Sequence, residues 1–311
     1  MEKRNKQIDI HADDYALTVH TSQDMLECMK EGVLDSFSII CNTSSFDECM
    51  EMLNQAIPSF SFLPLISVHL NLVEGFALSE GLRLIAENGV MSLGWKGVWL
   101  MAFTGKRRQL KEELKKEIKA QIDRTWEVAK KCFQIAEENH IPYEQNHLRI
   151  DSHQHIHSIP IVWEALMEAI EENGYEVEYI RNPKEPLLPF IKEISLWKSY
   201  RPVNFIKNRI LMLYSKENDS YCDRNHMQKM YMWGLVMSGK MDFERIKKIY
   251  PEMLKKTERD NRRLEILFHP GTALKEENKG EIARESMEDF YLSDGRNIEK
   301  QTLLQIKNIV C

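Results

Sequence analysis

"QIDIHADDYALTVHTSQDMLECMKEGVLDSFSIICNT", residues 7–43, carries a strand, a helix and a second strand in the order that defines an α/β protein. The run QIDIHADD reads as a strand ending in two acids, Asp13 and Asp14. TVHTSQDMLECMKEGVLDS has the periodicity of a helix, with Thr21 or Ser22 as its N-cap and Gly32 as its stop. SFSIICNT is a second strand. Outward from there the rhythm continues, with a Ser-opened helix at SSFDECMEMLNQA and a third strand at LISVHLNLVEG that runs into a polar loop. Strands separated by helices are not hairpins, so the order implies parallel pairing through helical crossovers.

Farther along, residues 109–139 form the clearest amphipathic helix, with acids and bases three or four positions apart. Its charge run reads as a solvated face. HLRIDSHQHIH is a strand, followed by a helix at IPIVWEALMEAIEENG and another strand at EVEYIRNP. Prolines at 183, 186, 189 and 202 then break the pattern. Residues 183–230 read as a loop-rich excursion beside the site, with one helix at NFIKNRILMLYS. RRLEILFHPG is a last strand, and FYLSDGRNIEKQTLLQIKN is a turn with a closing helix. An α/β barrel can occupy all 311 residues, so the expectation is a single domain over 1–311.

Composition narrows the classes. The chain is 43% hydrophobic and 29% charged with a formal charge of −6, which suits a globular protein and offers no basic footprint for nucleic acid. The charged N-terminus leads into only a short apolar run, so neither a signal peptide nor a membrane span is expected. Six cysteines, Cys28, Cys41, Cys49, Cys132, Cys222 and Cys311, are scattered without a C-x-x-C pair. They read as free, mostly buried thiols in a reducing cytoplasm. No sustained heptad pattern supports a coiled coil, and a homo-oligomer of another kind stays open.

The acids and histidines share one placement. Asp13 and Asp14 follow the first strand, His69 sits in the third, Asp151, His153, His155 and His157 end the HLRI strand, and His269 follows LEILF. Each lies at or near the C-terminal end of a strand, where βα loops converge on an active site. Read as an extended strand, D-x-H-x-H-x-H places its aspartate and three imidazoles on one face. Taken singly, Asp-Asp is an ordinary turn, His69 a core histidine and His269 a loop residue. Three imidazoles in five residues point to function. Two histidines and a carboxylate make a common ligand set for a divalent ion with open positions. A second carboxylate can take a proton from water, and a further histidine can protonate a leaving group. His11, His20, His140, His147 and His226 read as surface or structural. Trp95, Trp99 and Phe103 read as packing residues in preference to sugar-stacking ones.

Four segments resemble a known family in order. IHADDYALT resembles its N-A-D-D-F-G segment, ISVHLNLVEG its G-x-H-L-N-L-T-E-G, IDSHQHIHSIP its D-S-H-Q-H-x-H-x-x-P, and LEILFHPG its E-x-x-x-H-P-G. These are the motifs of the YdjC-like carbohydrate deacetylases. WGLVMSG and FYLSDGRNIE extend the likeness almost to the C-terminus. Ala16 and Tyr15 stand where the family often has Gly and Phe, and Ser67 replaces a frequent Gly.

The resemblance implies a distorted β/α barrel of the glycoside hydrolase/deacetylase type, mostly parallel strands with outer helices. It implies hydrolytic removal of an acetyl group from an N-acetylated sugar or oligosaccharide. Carried across by residue, Asp14, His69 and His153 are the implied metal ligands, Asp13 the base and His269 the acid. Asp151, His155 and His157 fall in the motif as substrate or outer-shell residues. Magnesium is the family's usual ion, although two imidazoles and one carboxylate suit zinc or another transition ion as well. The rival readings are a metal-dependent phosphoesterase with two ions, and a catalytically silent metal-dependent sugar-binding protein.

Overall fold

A computed structural model describes residues 7–278 and 285–310; Cys311 lies outside them. In chain order the strands are β1 (Ile8–Tyr15), β2 (Ser36–Ile39), β3 (Leu65–Leu70), a short hairpin of β4 (Ala86–Glu87) with β5 (Val90–Met91), β6 (Leu148–Ser152), β7 (Val177–Ile180), β8 (Met230–Trp233) and β9 (Arg263–Phe268). The helices are α1 (Val19–Lys30), α2 (Phe46–Ala56), α3 (Gly94–Met101), α4 (Arg107–Glu138), α5 (Pro160–Asn173), α6 (Leu188–Lys192), α7 (Pro202–Arg224), α8 (Phe243–Arg259), α9 (Glu285–Tyr291), α10 (Asp294–Leu303) and α11 (Lys307–Val310).

Seven strands form one sheet in the order β7-β6-β3-β2-β1-β9-β8, and every neighbouring pair is parallel. The sheet curls into a half-barrel ringed by helices, as the α/β reading expected. Its edges approach one another. Met232 N on β8 donates to Lys184 O beyond β7 at 3.1 Å. Tyr179 of β7 donates to Glu265 of β9, and Arg181 just past β7 reaches the same carboxylate at 2.6 Å.

Strand alternation sorts the side chains. On β1, Ile8, Ile10 and Ala12 join the core covered by α1, α2 and α8. The alternate residues Asp9, His11 and Asp13 are just as buried but face polar partners. Asp9 pairs with Arg149 of β6 at 2.9 Å, and His11 Nδ1 lies 2.6 Å from Ser36 Oγ of β2. Most parallel barrels fill this interior with branched aliphatics; here it is a ladder of charges and hydroxyls. A second apolar core lies between β3, β6, α4 and α5. Trp95 and Trp99 pack against it, whereas Phe103 is exposed.

Three local expectations change. The N-cap of α1 is Thr18, not Thr21 or Ser22: Thr18 is extended, its Oγ1 accepts from Thr21 N, and Thr21 Oγ1 accepts from Thr18 N. This reciprocal box satisfies two backbone donors at once, which a cap three residues later would leave open. The α4 charge run is only partly solvated. Lys111 and Lys115 pair with Glu168 and Glu172 of α5, but Glu113 and Glu117 are buried and accept backbone N–H groups from residues 78–85. Finally, the histidine run is not one strand. β6 stops at Ser152, and Gln154 and His155 turn into the left-handed region at φ 52° and 54°. Ser152 Oγ accepts from His157 N at 3.0 Å and closes that turn.

Candidate active site

The C-terminal end of β1 is irregular. Its register with β2 shifts between Ala12 and Tyr15, and Asp14 and Ala16 have φ of 74° and 67°. Aspartate tolerates this conformation better than most residues; alanine does so at a cost that glycine escapes. The kink turns two adjacent carboxylates to different partners around one imidazole. Asp14 Oδ1 lies 3.4 Å from His69 Nε2, and Asp13 Oδ1 lies 3.9 Å from His69 Nδ1.

Asp14, His69 and His153 converge, their ligand atoms all within 4.8 Å of one another. Asp14 Oδ1 is 3.2 Å from His153 Nδ1. Metal bonds of about 2.0–2.1 Å at tetrahedral angles set ligand atoms about 3.3 Å apart, so the donor set fits a divalent ion. The outward-facing atoms are held as ligating groups usually are. His69 Nδ1 lies 2.6 Å from Asp151 Oδ1. His153 Nε2 is 2.8 Å from the Tyr291 hydroxyl and 3.2 Å from Glu74 Oε1. Asp14 Oδ2 accepts from Arg296 at 2.9 Å.

The electrostatics follow. Burial alone lowers the imidazole pKa values, but Asp13, Asp151 and Asp14 outweigh it at His69 and raise it to about 10. At His153, burial is likewise outweighed by Asp14 and Glu74, which raise it to about 9. Burial pushes the carboxyls up, yet Asp14 sits well below the usual range because His153, His69 and Arg296 face it. Asp13 is also held well below that range, against burial, by Arg181, His69 and His11.

Arg181 is the hub of the side that carries Asp13 and His269. It grips Asp13 in a two-pronged pair, both bonds 2.8 Å, and lies 3.2 Å from Asp151. Such a fork fixes a carboxylate's orientation as well as its charge. Ser38 donates to Asp13 at 2.9 Å, and His269 Nε2 stands 3.9 Å from Asp13 Oδ2. His269 is held through its backbone N–H, which donates to Glu299 at 2.6 Å. Its side chain is 16% exposed while Asp13, Asp14 and Asp151 are at most 3%, so His269 forms the open rim.

The remaining histidines separate. His157 hydrogen-bonds Ser152 through Nδ1 and donates Nε2–H to the Arg181 carbonyl at 2.8 Å, and burial with the adjacent guanidinium drops its pKa to about 4. It is a neutral strut under Arg181. His155 is also held neutral by burial and Arg181, and its Nδ1 has no partner among the described residues.

Several members of the site were missed in the sequence. His11, read there as surface or structural, is fully buried with Nε2 3.0 Å from Asp13 and 3.4 Å from Asp151. Its signal was its alternation with Asp9 and Asp13. Arg181 ends a strand as the other site residues do. Glu74 lies in the NLVEG segment, and Tyr291, Arg296 and Glu299 come from FYLSDGRNIE. His11, Asp13 and Asp151 make a second acid–histidine trio, but the Arg181 guanidinium already sits against both of its carboxylates. A second cation there would face a fixed positive charge.

Residues 7–131 and 145–305 match the family model described as YdjC-like protein. The chain belongs to the YdjC-like family. Among curated relatives of this YdjC-like chain is a carbohydrate deacetylase of Danio rerio, 26% identical over 184 residues, covering 58% of this chain and 51% of that one. A carbohydrate deacetylase of Xenopus laevis is 27% identical over 181 residues, covering 57% and 50%. The chain thus spans about half the length of the curated relatives it matches. A solved structure from Enterococcus faecalis V583, described as a candidate cellobiose-phosphate cleavage protein, superposes with a TM-score of 0.56 at 18% identity, covering 98% of this chain and 94% of that one. That likeness shows a shared fold.

Proposed function

We propose that this YdjC-like protein is a metal-dependent hydrolase that removes the acetyl group from an N-acetylated sugar or chitooligosaccharide. One observation carries the reading: a ligating trio, Asp14, His69 and His153, adjoins a separate proton-handling pair, Asp13 and His269. The relatives named carbohydrate deacetylases support the substrate class. Bound at the trio, a divalent ion, magnesium or a transition ion such as zinc, would polarise the acetamide carbonyl and lower the pKa of water.

The chain's own residues do the rest. Asp13, kept ionised and oriented by Arg181, takes the proton of the attacking water. His269, on the rim, donates a proton to the departing sugar amine. Asp151 orients His69, His155 backs the site as a buried neutral imidazole, and His157 acts only through Arg181. The phosphoesterase alternative needs a second ion where Arg181 stands. No helix among the described residues is long and apolar enough to cross a membrane. The buried free thiols Cys28, Cys41, Cys49, Cys132 and Cys222 support a reducing cytoplasmic setting. We take the chain as a single catalytic domain, residues 183–230 included.

The test is acetate release from diacetylchitobiose and related N-acetyl sugars, with chelator and with added Mg²⁺ or Zn²⁺. Acetate that appears with metal and vanishes with chelator is the expected result. Sugar and metal binding by calorimetry without acetate under any ion would instead establish the silent binding protein.

A further inference from the structure

Glu299 of α10 is fully buried, and both its carboxylate oxygens accept backbone N–H groups, each from a different loop. Oε1 accepts from Gly239 N at 2.8 Å, in the loop after β8, and Oε2 accepts from His269 N at 2.6 Å, just past β9. One helical turn earlier, Gly295 packs so closely on the same loop that a Cβ there would stand 2.6 Å from the Gly239 carbonyl oxygen. Positions four apart share a helix face, so Gly295 and Glu299 dock together and the carboxylate is fixed in place. Among the described residues no lysine or arginine pairs with it. The basic nitrogen beside it is His269 Nδ1, 3.7 Å from Oε2. That nitrogen is itself buried and has no hydrogen-bond partner among the described residues. A buried carboxylate without a cation and a buried ring nitrogen without a partner each cost free energy.

The other sides of the His269 ring differ. Nε2 faces Asp13 Oδ2 at 3.9 Å, but that carboxylate is balanced by the Arg181 fork and also takes the Ser38 hydroxyl. Phe290 of α9 stands edge-to-face against the ring, centroids 5.7 Å apart, and brings no hydrogen-bonding group. His155, the further titratable side chain near it, is held neutral by burial and Arg181. A carboxylate oxygen has two lone pairs, so Glu299 Oε2 can keep the backbone N–H and accept a second donor. Catalytic hydrogen bonds are often long before substrate binds and tighten afterwards. We propose that Glu299 is a positioning residue: it accepts the Nδ1–H of His269 and so makes Nε2 the atom that gives up a proton. The proposal rests on the deacetylase reading for its substrate. An imidazolium can lose either proton. With Nδ1–H held by an anion, the Nε2–H bond breaks as the carbon–nitrogen bond of the acetamide breaks. The departing amine gains that proton, and the ring is left neutral with its remaining proton on Nδ1. The acyl carbon keeps the hydroxyl of the attacking water, whose proton has gone to Asp13. Asp13 cannot take the part of Glu299, because it lies on the Nε2 side and is already paired.

The test compares leaving groups. Glu299→Gln removes the charge and keeps the size. For diacetylchitobiose, whose amine must be protonated to leave, kcat should fall about 10²-fold, the low end of what a positioned acid contributes, with KM little changed. Hydrolysis of p-nitrophenyl acetate, whose phenolate leaves without a proton, should be spared. Equal losses on both substrates would make Glu299 an anchor of Gly239 alone and overturn the proposal. A second measurement needs neither turnover nor a folded Glu299 variant. In the full chain with isotope-labelled histidine, nitrogen NMR assigns His269 by the signal lost in His269→Asn. The neutral ring should carry its proton on Nδ1 and show a bare Nε2. A neutral ring protonated on Nε2 would overturn the proposal whatever the substrate. If the unaltered protein releases no acetate while His269 carries its proton on Nδ1, the deacetylase reading fails and the pairing with Glu299 stands.

Discussion

Strand β1 and helix α7 both turn polar side chains toward the barrel, and they differ in what covers the other side. On β1, the inward row Asp9, His11 and Asp13 is backed by Ile8, Ile10 and Ala12, which helices bury. On α7, the inward row Asn208, Ser215 and Asn218 is backed by Val203, Ile206, Ile210 and Leu213, which stand exposed among the described residues. In β1 the apolar face supplies the burial free energy that lets a charged row exist in the interior. In α7 that face is exposed and supplies little burial free energy. Polar residues placed inward are therefore positioning devices in both elements, and the reach of the device ends at Arg181: Asn218 and His157 both bond its carbonyl, and its guanidinium holds Asp13.

The sharpest way to break this picture is at the end of the inward row. Asp13→Asn keeps the shape but removes the carboxylate proposed as the base, and turnover in the acetate assay should fall on the order of 10²–10⁴-fold while metal binding by calorimetry persists. Retained activity would mean that the β1 row is structural throughout. Next come the outward rows. Ile266 of β9 is fully buried, so Ile266→Ala should cost about 2–5 kcal/mol in urea unfolding. Ile206→Ala on α7 should shift the stability of the monomer by no more than about 0.5 kcal/mol, and equal losses at the two sites would show that α7 is already covered.

A smaller effect concerns the imidazoles of the candidate metal site. Their acidic neighbours hold protons on His69 to about pH 10 and on His153 to about pH 9. An ion must displace those protons, so affinity for Zn²⁺ should rise from pH 6 to pH 8, and calorimetry in buffers of different ionisation enthalpy should detect proton release. A pH-independent affinity would detach these histidines from the metal.

The smallest effect lies under α7. Glu185 accepts backbone N–H groups from Gly234, Leu235 and Val236, yet its complete burial pushes the carboxyl up to about 7. The folded state then holds a proton that the unfolded chain releases near the ordinary carboxyl value. This contribution to stability is full below that value and is lost as pH rises toward 7. Glu185→Gln should flatten the fall in stability over that window, as read from urea midpoints at each pH. An unchanged slope would place the carboxylate in the ionised state, carried by its three donors.

The parallel strand–helix order and the clustering of Asp13, Asp14, His69, Asp151, His153 and His269 at strand ends were legible in the letters, because periodicity and strand-end placement are local properties. Proline-rich residues 183–230 were legible only as an excursion: the helix within them is longer than the apolar segment that announced it, since its inner face is polar. The histidine run was misread as a strand because alternation looks the same whether or not the backbone turns, and the left-handed residues Gln154 and His155 carry no glycine to signal it.

The amino-acid order by itself determined the alternation of β1, β2, β3, β6, β7 and β9 with α1, α2, α4 and α5, and which acids and imidazoles stand where loops converge. Only the tertiary structure decided that Arg181, His11, Glu74, Tyr291 and Arg296 contact the candidate site residues, and that His155 and His157 part company. The physical reason is that a buried charge is tolerated only through partners brought from distant parts of the chain, as Arg296 is to Asp14 across 282 positions. No local pattern records such a pairing; it exists once the sheet has curled.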